Sequence, residues 1–350
     1  MQVSGGRAGG EKSVFYVTTP IYYVNSLPHI GHAYTTIAAD VVARWQRLRG
    51  REVVFATGTD EHGAKNAQAA EEQGISPQQF VDSISAEYRA EWETLGISYD
   101  AFIRTTEPRH RTATQRVFRD LQEAGFIYRA LYEGWYCVAD ETYVLESDMV
   151  DGKCPNPECG SPLTRLQEEA YFLRTSAFAE RLGRVIAEQE NFIGPRARRN
   201  EVLGLLREGL RDSCISRSNL AWGIPVPGNE GHTVYVWFDA LINYLTVAGY
   251  PDEREQFAAV WPPDLQLMGK EILPRFHGTC WPAMLMGLEV VLPRRLYAHG
   301  WWTVEGQKMS KRLGNVVDPA VLAGSLAERS GAEMGVAVDA VRYFLMREIP

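Results

Sequence analysis

The stretch FYVTTPIYYVNSLPHIGH, residues 15–32, carries the reading of the fold. Val14 to Thr18 are β-branched and aromatic enough for a buried strand, and Pro20, Asn25, Ser26 and Pro28 interrupt that pattern before a helix begins. His29 and His32 fall in the first turn of this helix, three residues apart and therefore on one face. A helix N-terminus carries unpaired N–H groups and partial positive charge, so two imidazole donors there make an anion site. Gly31 between them lets a bulky ligand approach the backbone. The plainer reading is a helix start with polar caps, and the H-x-x-H spacing alone does not separate the two.

A second stretch separates them. Lys308 to Arg312, KMSKR, lies in a loop bounded by Gly306 and Gly314. By itself it reads as a solvated basic turn. Together, PHIGH and KMSKR resemble the HIGH and KMSKS signatures of class I aminoacyl-tRNA synthetases. Arg312 departs from the usual Ser, but Lys308 and Lys311 match the two lysines that face the nucleotide in that family. No Walker A or G-x-G-x-x-G pattern occupies the first turn, which disfavours a P-loop kinase and a nicotinamide dehydrogenase.

Composition is that of an ordinary globular protein of one large or two modest domains: 350 residues, 45% hydrophobic and 23% charged. A formal net charge of −8 argues against a nonspecific nucleic-acid binder while leaving room for a local basic patch. One candidate is the run from Pro195 to Arg211, with Arg196, Arg198, Arg199, Arg207 and Arg211, whose alternative is a solvated helix face. No segment approaches the roughly 18 apolar residues of a membrane span. Five cysteines, an odd number without a secretory signal, predict reduced thiols. The first dozen residues are Gly-rich, with too few Arg for a complete transit peptide.

Along the chain, the first helix offers Ile37, Val41, Val42 and Trp45 as a core face, Gly50 as its C-cap, and Glu52 to Ala56 as a second strand. Strand, helix and strand in some forty residues predict a parallel βαβ unit and an α/β, doubly wound parallel sheet of Rossmann-like type. The second strand runs into GTDEHG, residues 58–63, where Asp60 is placed either to anchor a cationic group or to cap a helix. Ser76 to Ile97 and Pro108 to Gly125 read as amphipathic helices and as packing. From Phe126 to Gly231 the alternation is lost. It resumes with the strand-to-helix stretch VYVWFDALINYL, residues 234–245, a strand at Leu265 to Gly269, and another at Leu296 to His299. The expected organisation is a tail at 1–13, a first catalytic half at 14–125, a connective insertion at 126–231, a second half at 232–305, and the lysine loop with the start of a helical region at 306–350.

GTDEHG, YVWFDA and KMSKRLGNVVDP follow PHIGH in the order and spacing of the methionyl subfamily. That resemblance runs from Val14 to the end of the chain. It implies a methionine pocket from Ile21, Tyr23, Trp237, Ala240, Leu241, Tyr244, Phe276 and His277, with Asp60 holding the substrate's α-ammonium. Aromatic walls suit an unbranched thioether. It also implies an ATP side built from His29, Gly31, His32, Gly269, Glu271, His299, Gly300, Trp302, Lys308 and Lys311, with Mg²⁺ entering with ATP, and His29, His32, Lys308 and Lys311 as the catalytic groups. Methionine and the acceptor end of tRNA(Met) are the implied partners, with no membrane and no DNA.

Cys154 and Cys159, in CPNPEC, resemble half of a zinc knuckle, with Cys137 and Asp140 opposite where many relatives have two cysteines. Zinc and an eroded site both fit, since mitochondrial-type relatives have lost the metal. The stretch GKEILPRFH, residues 269–277, departs twice: Glu271 stands where Asp is usual, and one residue, Pro274 or Arg275, is extra. One residue turns an α-helix by about 100°, so the register of Phe276 and His277 is the open question. YEGWYC, NYLTVAGYP and LGNVVDP look most like mitochondrial-type members, which points to the mitochondrial matrix, with the cytoplasm as alternative. The family continues into an anticodon-binding domain beyond the position of Pro350. Three rivals stay open: a sister synthetase for cysteine or leucine, a small HxGH nucleotidyltransferase, and a non-catalytic fragment.

Overall fold

The structure, a computed structural model, describes residues 14–25, 27–139, 142–144, 146, 149–155, 159–218, 220–304, 307–308 and 316–348. At residues 142, 143, 166, 303, 304, 307 and 308 the backbone alone is described. In chain order the first part comprises β1 (Val14–Thr18), β2 (Tyr22–Tyr23), α1 (Ile30–Leu48), β3 (Glu52–Asp60), α2 (Ala64–Glu72), α3 (Pro77–Thr94), β4 (Ala101–Arg104) and α4 (Pro108–Glu123). The middle comprises β5 (Ile127–Cys137), β6 (Thr142–Val144), β7 (Thr164–Leu173), α5 (Ala179–Glu188), β8 (Ile193–Gly194), α6 (Arg196–Glu208), β9 (Ser213–Cys214), β10 (Ser216–Ser218), β11 (Pro225–Val226) and β12 (Asn229–Val234). Then follow α7 (Val236–Leu241), α8 (Asn243–Val247), α9 (Arg254–Val260), β13 (Leu265–Gly269), α10 (Trp281–Gly287), β14 (Leu296–His299), β15 (Thr303–Val304), β16 (Gln307–Lys308), α11 (Pro319–Ser330) and α12 (Met334–Arg347).

Seven strands form one parallel sheet in the order β2-β3-β1-β13-β14-β8, with β4 also on β3. β1 lies at its centre and is wholly buried. Its side chains alternate: Val14 and Tyr16 enter the core under α4 and α8, while Phe15 and Val17 enter the core under α1, α3 and α12. Chain order reverses between β1 and β13, so the sheet has a switch point there. The carboxyl ends of β3, β13 and β14 meet beside it, and ligands of doubly wound folds bind at that position.

Three features differ from expectation. α1 does not bury Val41 or Trp45, which are 40% and 58% exposed. Its inner face carries Ile37 and the fully buried Asp40, whose carboxylate accepts from Ser98 N–H at 2.7 Å and from Arg44 and Arg342. A charged residue on the inner face shifts an apolar-periodicity reading towards the wrong side. Secondly, β3 continues to Asp60 instead of ending near Ala56. Gly58 permits this, because a Cβ there would lie 2.0 Å from the Ile103 carbonyl oxygen of β4. Thirdly, the stretch expected as the connective insertion contributes to three sheets, one of them the three-stranded β10-β12-β11. β5, β6, β7 and β9 make an antiparallel sheet, whereas β8 pairs parallel with β14 at the edge of the main one.

The Arg-rich α6 packs through Val202, Leu203 and Leu206, and Arg199 donates to the Ile186 carbonyl at the end of α5. Arg198 pairs with Glu201. These contacts match a packed helix with a solvated face. Among the described residues, no helix is long and apolar enough to cross a membrane.

Candidate active site

Both histidines of PHIGH act as caps of α1. His29 is the N-cap residue, and its Nδ1 accepts the Gly31 N–H at 3.1 Å. His32 returns the contact, its Nδ1 accepting the His29 N–H at 3.4 Å, in an arrangement usually made by Ser or Thr with Glu. The rings stack with centroids 3.7 Å apart. Tyr88 of α3 also donates its hydroxyl to His32 Nδ1, at 3.1 Å. Burial, and then the neighbouring His29, hold His32 well below the usual histidine range, so it is neutral. With Nδ1 of each ring accepting, each imidazole carries its proton on Nε2. The helix end therefore presents backbone dipole and two imidazole N–H donors together, which suits phosphate oxygens.

The other strand ends complete this side. At the end of β14, His299 Nδ1–H donates to the Gly300 carbonyl at 2.7 Å and Nε2 meets the Thr35 hydroxyl at 2.6 Å, while burial lowers its pKa. At the end of β13, the Glu271 carboxylate folds back over Gly269: a Cβ on Gly269 would lie 2.4 Å from Glu271 Oε1. Trp301 donates its indole N–H to Glu271 Oε2 at 2.8 Å, and the Lys270 ammonium sits 3.9 Å from the Trp301 ring centre. The extra methylene of Glu relative to Asp is thus taken up by folding back.

One cavity of about 450 Å³ joins this polar side to an aromatic one. It is lined by His29, Gly31, His32, Gly269, Glu271, His299, Gly300 and Trp302, and also by Ile21, Tyr23, Asp60, Trp237, Ala240, Leu241, Tyr244 and His277. Asp60 is 6% exposed at the end of β3. Tyr244 donates its hydroxyl to His277 Nε2 at 2.7 Å, and His277 Nδ1–H reaches the Ile272 carbonyl at 3.4 Å. Burial pushes His277 down to about 4, so at neutral pH it is an uncharged acceptor.

Phe276 is the expected pocket residue that does not line this cavity. It stacks on Trp237, centroids 3.9 Å apart and planes 8° from parallel, and lines a second cavity between the antiparallel sheet and the main fold. Its neighbour keeps the pocket position because Leu273–Cys280 forms a π-helical turn, in which the His277 N–H donates to the Ile272 carbonyl, five residues back, at 3.2 Å. A π turn holds more residues than an α turn, so it absorbs the extra residue of GKEILPRFH before α10 resumes.

Lys308 belongs to β16, where the backbone alone is described, and Lys311 and Asp140 lie outside the described residues. Cys137 at the end of β5 and Cys154 and Cys159, in the connection between β6 and β7, bring their sulfurs within 4.8 Å of one another, with Cys137 and Cys159 Sγ 3.3 Å apart. Two of the three are buried. Three converging thiols suit a soft, tetrahedral ion such as zinc.

Several residues escaped the sequence reading. Thr35 follows Gly31 by one helical turn, Trp301 precedes Trp302, and Tyr22 and Asn25 stand within the opening stretch; position was their only signal. Tyr88 gave none, since it continues the apolar stripe of Phe80 and Ile84.

A parallel, doubly wound sheet with an H-x-x-H helix end, a buried carboxylate and an aromatic pocket at its switch point defines a nucleotide-binding class of α/β fold. Comparison with known proteins gives the family. The family model described as tRNA synthetases class I (M) matches residues 15–165 and 159–350, and the chain belongs to that family. It is 50% identical over 340 residues to the methionine--tRNA ligase of Caldanaerobacter subterraneus subsp. tengcongensis, covering 97% of this chain and 51% of that protein. It is 48% identical to the methionine--tRNA ligase of Rickettsia conorii, covering 96% and 64%. Among solved structures, the Mycobacterium tuberculosis methionyl-tRNA synthetase in complex with methionyl-adenylate superposes with a TM-score of 0.89 at 46% identity, covering 97% of this chain and 65% of that one. The chain spans about half to two thirds of the length of these relatives.

Proposed function

We propose that this chain activates methionine with ATP to methionyl-adenylate and passes the methionyl group to the acceptor end of tRNA(Met). The observation that carries this reading is the single cavity, with its imidazole-lined helix end on one side and Asp60 and the aromatic walls on the other. The match to a methionyl-adenylate complex supports it.

In this reaction the substrate carboxylate attacks the α-phosphorus of ATP and pyrophosphate leaves. The nucleophile is already an anion, so no general base and no covalent side chain is needed; positioning and charge stabilisation remain. His29 and His32 supply N–H donors from Nε2 at the end of α1. Asp60 holds the α-ammonium, Trp237, Ala240, Leu241 and Tyr244 enclose the thioether, and Lys308 and Lys311 close over the leaving pyrophosphate. ATP brings Mg²⁺, which neutralises part of the phosphate charge. An apolar pocket rejects smaller aliphatic side chains only modestly, roughly 10- to 200-fold per methylene.

The test is ATP–pyrophosphate exchange by this chain with methionine, leucine, isoleucine, cysteine and valine. Exchange with methionine is the expected result. Exchange with another amino acid alone would move the activity to a sister synthetase, and none from folded protein would make the chain a non-catalytic fragment.

Zinc held by Cys137, Cys154 and Cys159, with Asp140 as fourth ligand, is part of the same proposal, supported by the converging thiols. It would staple β5 to the CPNPEC loop. Metal analysis of protein purified without chelator should find about one equivalent, and less than about a tenth would remove the idea. For compartment we propose the mitochondrial matrix or the cytoplasm. The matrix rests on sequence phrases alone, the relatives compared are bacterial, and fractionation of cells expressing the native gene decides between them.

A further inference from the structure

Behind the methionine end of the cavity lies a polar cluster that touches no surface. Asp239 of α7 is 1% exposed and accepts from two histidines: His62 Nδ1 at 2.6 Å to one carboxylate oxygen and His110 Nε2 at 2.7 Å to the other. Thr114 adds a hydroxyl at 3.2 Å. The second nitrogen of His110 meets Thr246 of α8 at 3.0 Å. His62 and His110 are themselves buried, at 3% and 0%. Burial by itself would raise the Asp239 carboxyl; His62 and then His110 outweigh that and hold it well below the usual carboxylate range, so it stays ionised.

The cluster ties together two walls that the substrate must span. His62 is two residues beyond Asp60, at the end of β3, and the same short segment is pinned by the Trp222 indole donating to the Glu61 carbonyl at 2.7 Å. Asp239 stands between Trp237 and Ala240, which both line the cavity. The distance from the ammonium-binding carboxylate to the side-chain pocket is therefore set through the Asp239–His62 contact, a short, buried, charge-assisted hydrogen bond, so that neither wall shifts cheaply. The ATP side, at the ends of α1, β13 and β14, shares no contact with this cluster among the hydrogen bonds described.

We infer that Asp239, acting through His62, is a positioning residue for methionine that spaces Asp60 from the aromatic pocket and leaves nucleotide binding alone. This rests on the proposed amino-acid activation. Asp239→Asn keeps the volume but offers one acceptor where two imidazole N–H groups need one each. Misplacement of one wall by a fraction of an ångström should raise the methionine KM about tenfold, with the ATP KM within about twofold of wild type. His62→Asn should do the same, and the double variant should be no worse than either single one, since both remove one contact.

The experiment is ATP–pyrophosphate exchange by the 350-residue chain and its variants, varying each substrate separately, with thermal melts alongside. A merely structural role would lower the active fraction, reducing kcat and leaving both KM values in place; that result overturns the inference, as does an equal rise in both. Should Asp239→Asn fail to fold, Thr114→Val weakens the same carboxylate and should raise the methionine KM about threefold, an unchanged value counting against the inference. Wild-type exchange with unaltered variants sinks this inference alone; absent exchange in the wild type sinks the functional reading and this with it.

Discussion

Tyr88→Phe tests whether the orientation of His32 matters to activation. The Tyr88 hydroxyl reaches His32 Nδ1 at 3.1 Å, and the other donor to that nitrogen, the His29 N–H, is longer at 3.4 Å. Phe keeps the ring in place, stacked on Tyr22 at 5.7 Å and edge-on to Trp92 at 5.8 Å, so packing is conserved. What is removed is one neutral hydrogen bond that holds the proton of His32 on Nε2, worth about 1 to 1.5 kcal/mol. If the transition state uses that Nε2–H, kcat for exchange should fall about 5- to 12-fold, the value that free energy sets. Both KM values should stay near wild type, because the donor matters most where phosphate charge grows. The melting temperature should drop by no more than about 3 °C. The assay is ATP–pyrophosphate exchange across substrate concentrations. A kcat within twofold of wild type would refute the tautomer reasoning, and a methionine KM rising in step with the fall would show a distorted pocket instead.

Lys311→Ala should cut the activation rate about 10²-fold, with methionine binding nearly unchanged, since about 3 kcal/mol of charge stabilisation is lost in the transition state; equal loss in ground-state affinity would contradict this. His277, at about 4 in the folded chain against 6.5 ordinarily, binds fewer protons folded than unfolded, so its stabilising contribution is present above pH 6.5 and is lost as pH falls towards 4, by on the order of 3 kcal/mol. His277→Gln should flatten urea-melt stability over that window, and an unaltered slope would count against it. Glu91 is pushed up to about 7 by burial and by Asp318, so the folded chain binds more protons than the unfolded and stability falls as pH rises from 4.5 to 7. Glu91→Gln, which still offers an oxygen to the Ala320 N–H, should gain about 1 kcal/mol at pH 8 and little at pH 4, read by denaturant midpoints.

Local chemistry made much of this legible in the sequence. β1, α1 and the strand ends were readable because a run of buried β-branched and aromatic residues, a proline-marked turn and a helix start each leave a local signature. The same holds for Asp60, Trp237 and Tyr244, which the motif order placed on one cavity. What stayed hidden depends on partners far along the chain. Asp40 reads as a surface residue until Arg342 arrives from α12. GTDEHG reads as a loop because Gly58 is a turn former in isolation, whereas here it makes room for Ile103. Phe276 was placed in the pocket by the resemblance, and the extra residue of GKEILPRFH left its register open; that was settled by a π turn that no local signal foretells. Asp239, His62 and His110 converge from three separate segments, and no spacing within any one of them foretells the meeting.

The placement of β1 also sets a timetable. Its partner on one side, β3, follows within about forty residues, but the other side waits for β13: Tyr16 N–H donates to Asp264, 248 residues later. At ribosomal speeds of about 5 to 20 residues per second, the central strand leaves the exit tunnel roughly 10 to 50 s before its second neighbour is made. During that interval an apolar, fully buried strand of the finished sheet has one open edge, the kind of surface that recruits other nascent chains. The antiparallel sheet synthesised in between forms from its own neighbouring strands and does not cover that edge. Expression yield of this chain should therefore depend on translation speed and chaperone supply more than its finished stability suggests.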